Sequence, residues 1–72
     1  MFAEYDLVRL KRPQASLPAG ALGTIVMAYD WPRRGYDVEF TDSFGATLAL
    51  LTLYDDDLEA AGQENTGRQE GQ

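Results

Sequence analysis

The residues best suited to binding chemistry lie in one short segment, Asp30-Trp-Pro-Arg-Arg-Gly35. The aromatic ring of Trp31 and the guanidiniums of Arg33 and Arg34 suit stacking and ion pairing with a partner protein. The same composition also suits stacking on single-stranded nucleic acid. A purely structural role stays open as well, in which the tryptophan folds over the end of the domain and the arginines pair with nearby aspartates.

Tyrosines are the second source of binding surface, and the chain has four of them, Tyr5, Tyr29, Tyr36 and Tyr54. SH3 domains use grooves of aromatic side chains to bind proline-rich peptides. Tyrosines also serve as rim residues of thin cores, where the ring is buried and the hydroxyl stays in water. The predicted partner-binding residues are Tyr29, Trp31, Arg33, Arg34 and Tyr54.

Carboxylates are concentrated in the segment from Asp55 to Glu59, where Asp56 and Asp57 are also acidic. Such oxygen ligands could bind a hard cation. A calcium loop needs acidic residues at alternate positions with a central glycine, whereas consecutive aspartates point in different directions around a turn. The pattern therefore favours capping of a helical turn and solvation, and we expect no metal and no cofactor.

Catalytic equipment is sparse. The chain has no cysteine and no histidine, which excludes disulfides, thiolate zinc sites, cysteine nucleophiles and Ser-His-Asp triads. Ser16 and Ser43 have no histidine base, and Lys11 is the single lysine. No pair of carboxylates is predicted to lie in a buried cleft that could tune its pKa. We therefore expect a protein that is not an enzyme.

The bulk composition describes one small acidic domain. The 72 residues carry a formal charge of −6. An acidic field repels phosphate and attracts basic protein surfaces, although the charge could serve solubility alone. The N-terminus lacks the basic start and apolar run of a secretory leader, and no stretch approaches the roughly 20 apolar residues of a membrane span. We expect a cytoplasmic location without membrane contact.

Alternation of apolar and polar residues predicts four strands, over residues 5–12, 22–29, 36–41 and 46–53, followed by a helical or 3₁₀ turn at 54–58. Residues 59–61 are compatible with either a short closing strand or the start of fraying. The clearest alternation assigns Tyr36, Val38 and Phe40 to the core. Short strands and little helix predict an all-β domain at residues 1–61, built as a small antiparallel barrel. Residues 62–72 lack large apolar side chains and are predicted to be a disordered tail.

Glycines and prolines divide these strands. Pro18 suits the first central position of a turn, which would place Gly20 at the turn's last position. Gly23 indicates either a bulge or a close crossing by another chain segment. Gly45 suits the positive φ of a hairpin turn after Asp42.

Several segments together resemble a family of small bacterial proteins, the domain of unknown function 4926. The resemblance runs over residues 4–59 and rests on Tyr5-Asp-Leu-Val-Arg-Leu10, Leu17-Pro-Ala-Gly-Ala-Leu-Gly-Thr-Ile-Val26, Tyr36-Asp-Val-Glu-Phe40, Leu50-Leu-Thr-Leu53 and Asp56-Asp-Leu58. It implies an SH3-like barrel and no established activity. The loop at residues 30–35 is less typical of the pattern, so a function carried by that loop would be particular to this protein.

Three functions are compatible with these observations. The first is a protein-binding module, acting as an accessory or an antitoxin- or immunity-like partner of another bacterial protein, with a basic surface on that partner. The second is a nucleic-acid or ribosome-associated module, since the piece Gly-x-x-Gly-Thr-Ile-Val also resembles KOW modules. It requires the basic residues to gather on one face: Arg9, Lys11, Arg12, Arg33 and Arg34. The third is a structural subunit of a larger enzyme.

Overall fold

The structure, a computed structural model, describes residues 1–61 as five antiparallel strands with one 3₁₀ turn. The elements are β1 (Leu7–Leu10), β2 (Leu22–Tyr29), β3 (Gly35–Thr41), β4 (Thr47–Leu53), a 3₁₀ turn (Asp55–Asp57) and β5 (Leu58–Ala61). The predicted all-β architecture is confirmed, including the short turn before a closing strand. The predicted disordered tail at 62–72 lies outside the described residues.

The strand order is β4-β3-β2-β1-β5, and every neighbouring pair is antiparallel. β1 to β4 form a meander, and β5 returns to lie beside β1. The predicted short antiparallel strands are therefore present, as an open barrel. The barrel stays open, because within residues 1–61 β4 and β5 form no ladder with each other. Two sheet edges therefore remain.

The core lies inside the curved sheet and confirms the predicted alternation in β3. Tyr36 and Val38 are 0% exposed and Phe40 is 1% exposed. The other buried apolar side chains come from every remaining strand and from one loop; they are Val8, Leu10, Leu17, Ile25, Leu53, Leu58 and Ala61. Burial of these side chains is the main source of stability in a domain of this size.

Gly23 is the point of closest approach between β2 and the core. A Cβ atom at this position would lie 2.7 Å from Cγ1 of Val38 and 2.8 Å from the ring of Phe40. The close crossing predicted for this glycine is therefore present. The bulge lies farther along β2, where the register with β3 shifts between Ile25 and Met27.

Two local predictions need correction. β1 begins at Leu7 instead of Tyr5, because Tyr5 has a left-handed backbone with a φ of 74° and cannot continue a strand. The turn before β2 lies one residue later than predicted: the N–H of Ala21 donates to the carbonyl of Pro18 at 3.2 Å. The reason is Gly20, whose φ of 87° suits the third position of a type II turn.

The hairpin turn between β3 and β4 has the predicted form. Gly45 has a φ of 88°, which its missing side chain permits. The carboxylate of Asp42 accepts hydrogen bonds from the N–H groups of Phe44 and Ala46 at 2.8 and 2.9 Å. This turn leaves the Phe44 ring in solvent.

Candidate partner-binding site

A cleft of about 300 Å³ opens where β2, β3 and β4 approach one end of the barrel. It lies between the β2–β3 loop and Tyr54, the residue that precedes the 3₁₀ turn. We call it the aromatic cleft, and its lining residues are Tyr29, Trp31, Pro32, Arg33, Gly35, Thr52 and Tyr54. The fold thus brings together four of the five predicted partner-binding residues from positions that are far apart in the chain.

Trp31 forms the exposed rim of the aromatic cleft. Its side chain is 83% exposed and is not part of the buried core. The tryptophan therefore does not fold over the end of the barrel, which was the structural alternative for this residue. Its peptide bond to Pro32 is cis, and both residues line the cleft.

The two arginines of the loop have different partners. The guanidinium of Arg33 lies over the ring of Tyr54, with Cζ 3.6 Å from the ring centroid. This is a cation–π contact, and it forms one wall of the aromatic cleft. Arg34 instead pairs with Asp30 at 2.6 Å, as the structural alternative proposed for the arginines. Arg34 does not line the cleft, so it is the predicted site residue that the fold sets apart.

The opposite wall of the cleft is held by hydrogen bonds to one carboxylate. Tyr29 donates its hydroxyl proton to Oδ2 of Asp37, and Thr52 donates to Oδ1 of the same residue at 2.9 Å. The hydrogen bond to Asp37 is the main cause that raises the pKa of Tyr29, with smaller effects from burial and from the negative charge. Tyr29 is therefore a neutral donor whose ring position is set before any partner binds.

Gly35 leaves room for one of the aromatic rings of the cleft. A Cβ atom at Gly35 would lie 3.0 Å from Cε1 of Tyr54, so the glycine lets this ring pack against the backbone of β3. Sequence reasoning missed Gly35 as a site residue, and it also missed Pro32 and Thr52. The roles of Gly35 and Thr52 depend on contacts with residues far along the chain, for which the sequence carries no local signal, whereas Pro32 lies beside Trp31 in the loop already singled out.

The other two tyrosines do not join the cleft. Tyr5 is exposed outside the cleft. Tyr36 is buried, donates a hydrogen bond to Asp55 at 2.6 Å and accepts one from the N–H of Phe2 at 3.1 Å. Burial is the largest cause that raises the pKa of Tyr36, followed by the bond to Asp55. A groove made from all four tyrosines is therefore not present.

The aspartates of the 3₁₀ turn serve separate partners. Asp57 accepts from the N–H of Tyr54 at 3.0 Å and pairs with Arg12 at 3.1 Å, while Asp55 accepts from Tyr36. Asp56 is exposed and lines a second pocket together with Arg33 and Tyr54, which also line the aromatic cleft. Among residues 1–61, no three acidic side chains form a group that could hold a metal ion. The geometry agrees with the capping that the sequence favoured.

The chain belongs to the family described as Domain of unknown function (DUF4926), whose pattern matches residues 4–60. This confirms the resemblance expected from the sequence. Neither the comparison with curated proteins nor the comparison with solved structures finds a match. In the part of the chain that the structure describes, no helix has the length and apolar character needed to cross a membrane.

Proposed function

We propose that this member of the DUF4926 family is a non-enzymatic, cytoplasmic module that binds another protein through the aromatic cleft. In this proposal it acts as an accessory or an antitoxin- or immunity-like partner of a bacterial protein. The partner presents a segment that carries basic side chains. The proposal rests chiefly on one observation, the 83% exposure of Trp31 at the rim of a preformed cleft.

An exposed tryptophan beside a cleft supports binding because it offers a large apolar area at a low cost in side-chain entropy. Tryptophan, tyrosine and arginine are also the residues that contribute most to protein interfaces. Here Trp31 is accompanied by Tyr29 and by the stacked pair of Arg33 and Tyr54. Because the Asp37 bonds and the cation–π contact already hold three of these side chains, a partner would lose little entropy in ordering them.

The charges around the cleft support a basic partner. Four carboxylates border this end of the barrel, against the two guanidiniums of the loop; they are Asp30, Asp37, Asp55 and Asp56. The chain as a whole carries a formal charge of −6. Such a field raises the association rate with a basic protein and weakens as salt screens it.

The basic residues give less support to nucleic acid as the partner. Arg12 pairs with Asp57 and Arg34 pairs with Asp30, so two of the guanidiniums are already neutralised. Arg9 lies on β1, away from the loop, and its side chain donates a hydrogen bond to the carbonyl of Gly20. Binding to a phosphate backbone depends on releasing counterions from several phosphates at once, which favours a continuous positive face.

The proposal is tested by capture with the tagged full chain from extracts at low and at high salt, followed by mass spectrometry. We expect one stoichiometric basic protein that wild-type chain retains at low salt and loses at high salt. Trp31→Ala should not retain it. Phe44→Ala is the matched control, because Phe44 is an equally exposed aromatic residue, 92% exposed, in the β3–β4 turn. This control variant should behave as wild type.

A purified partner then allows a direct titration. Trp31 is the single tryptophan of the chain, so its emission reports the cleft alone if the partner is labelled or lacks tryptophan. We expect a blue shift on binding, and at least a tenfold weaker complex for Trp31→Ala. Retention of the same protein by Trp31→Ala would contradict the proposal. Recovery of RNA with ribosomal proteins would favour the nucleic-acid module, and recovery of a large catalytic subunit would favour the structural one.

A further inference from the structure

β4 presents a long edge with one irregularity, a register shift against β3 that leaves Leu48 as the extra residue. It pairs with β3 on one side, and no other strand of residues 1–61 pairs with its second side. Its seven residues, Thr47 to Leu53, include no charged residue and no proline. Exposed strand edges are normally blocked by lysine, proline, bulges or short length, because they can pair with another chain.

The other edge of the sheet is shorter and carries a charge. β5 has four residues and carries the exposed acid Glu59. On β4, by contrast, Leu48 and Leu50 point to the outer face and are 57% and 60% exposed. The long, neutral and apolar edge thus occurs at one end of the sheet, and the protected edge occurs at the other.

We propose that the β4 strands of two copies of this chain pair antiparallel, edge to edge, and form a symmetric dimer with one continuous sheet. Pairing centred on Leu50 uses the regular part of the strand, beyond the register shift at Leu48. Leu50 then lies opposite the second copy's Leu50, and Leu48, at the bulge, lies near the second copy's Thr52. These positions share the outer face, so the opposed side chains meet on the same side of the sheet.

A second copy fits this edge better than a basic partner does. The edge bears no charge, so a neutral strand of the same length pairs with it without placing like charges opposite each other. The nearest acid, Glu39, lies one strand behind and opposite Leu50 in the β3–β4 register. Across the dimer the two Glu39 residues are three strand spacings apart, about 14 Å. This exceeds the screening length of about 8 Å at physiological salt.

The dimer would bring one lining residue of each aromatic cleft, Thr52, to the interface and leave the other lining residues outside it. Each cleft takes Thr52 from β4 and Tyr54 from just beyond it, so it lies at the C-terminal end of the strand. Antiparallel pairing puts these ends at opposite extremes of the interface. The dimer is thus a bivalent form of the module, and self-association does not depend on the function proposed for the cleft.

The mass of the full chain in solution tests the dimer. We expect sedimentation equilibrium to show a mass that rises from monomer to dimer with protein concentration, and more readily at higher salt because repulsion between the acidic copies is screened. The double variant Leu48→Lys/Leu50→Lys should weaken the dimer at least tenfold. Phe44→Lys, which adds one lysine off the edge, should weaken it far less than either single variant, Leu48→Lys or Leu50→Lys. Circular dichroism verifies that each variant is folded.

Cross-linking tests the register, since the natural chain has no cysteine. Directly opposed residues of an antiparallel pair have Cα atoms about 4.5–5.5 Å apart, which suits a disulfide. Leu50→Cys should therefore oxidise to a covalent dimer. Leu48→Cys should not, because the two Cα atoms would be about 14 Å apart.

Two outcomes would overturn the inference. The first is a monomeric mass for wild-type chain at millimolar concentration and high salt. The second is cross-linking of Leu48→Cys as readily as Leu50→Cys, which would show a different contact. A monomer that still binds a basic protein through Trp31 would overturn the dimer and leave the function proposed for the cleft intact.

Discussion

The buried face of β2 and β3 and the aromatic cleft at the ends of the same strands use similar residues for opposite purposes. In the core, Tyr36 and Phe40 are enclosed on every side. In the cleft, Tyr29 is held by a hydrogen bond to Asp37, and Trp31 stays in solvent. Most of the stability therefore lies in the buried face, and the cleft should contribute less to stability than to binding.

The largest effect should come from deleting a core ring. Phe40→Ala removes a fully buried side chain and leaves a cavity, so we expect it to lower the free energy of unfolding by about 3–5 kcal/mol. Phe44→Ala removes a phenylalanine ring that lies in solvent, and it should change the free energy of unfolding by less than about 0.5 kcal/mol. Urea unfolding followed by circular dichroism measures both. Similar losses for the two variants would mean that the Phe44 ring is buried in solution.

Alanine substitutions at two glycines test the same difference between the core and the aromatic cleft. Gly23→Ala would press a methyl group into Val38 and Phe40, and we expect a loss of about 1–3 kcal/mol in the free energy of unfolding. Gly35→Ala meets the ring of Tyr54, which can shift toward solvent, so its cost should be smaller. Its main consequence should be weaker binding in the aromatic cleft. A larger loss of stability for Gly35→Ala than for Gly23→Ala would contradict this division.

The pH dependence of stability separates the two tyrosines that donate to carboxylates. Burial raises the pKa of Tyr36 above its ordinary value of 10.0, so the folded state holds its proton more tightly than the unfolded state does. This contribution to stability is complete below about pH 10 and is lost as the pH rises through the folded pKa. Tyr36→Phe should cost about 1 kcal/mol at neutral pH and reduce the fall in stability above pH 10.

The free energy of unfolding of Tyr36→Phe should still fall as the pH rises above 10. Part of this fall should come from Tyr29, whose pKa is raised mainly by its bond to Asp37. Tyr29→Phe supplies the comparison from the cleft, and the double variant should have the flattest profile. Thermal unfolding between pH 7 and pH 11 measures these slopes. An unchanged slope in both single variants would show that neither hydroxyl is linked to folding.

The smallest effect should come from the cation–π contact in the cleft. Arg33→Ala removes the guanidinium that covers Tyr54, and we expect a loss of about 0.5–1 kcal/mol in the free energy of unfolding. Arg34→Ala removes an exposed ion pair with Asp30 and should cost less. Urea unfolding at low and at high salt distinguishes them. A greater loss for Arg34→Ala would mean that the stacking contact contributes little.

Much of the fold could be predicted from local patterns. Alternation in the segment from Tyr36 to Thr41 predicted the inward face of β3, and Gly45 predicted the hairpin turn. These features depend on side-chain periodicity and on backbone freedom, which are properties of neighbouring residues. The start of β1 was misplaced because the left-handed backbone of Tyr5 is stabilised by a distant contact, the bond from its N–H to the carbonyl of Ile25.

The candidate site was predictable in its residue types and not in its assembly. Trp31 and Arg33 were identified from composition, and Arg34 was included with them although it turns away to Asp30. Which arginine would stack and which would pair depends on the side of the loop that faces Tyr54, a residue more than twenty positions away. Gly35 and Thr52 joined the site only because β3 and β4 pair in one particular register.

Composition and strand periodicity are local properties, and they were enough to predict a small acidic all-β domain without thiol or imidazole chemistry. The folded structure was needed to show which aromatic residues meet, which carboxylate holds Tyr29 and Thr52, and which strand keeps an open edge. Those outcomes depend on the register and order of strands that lie far apart in the chain. They arise from packing of the whole sheet around one core, which no single segment specifies.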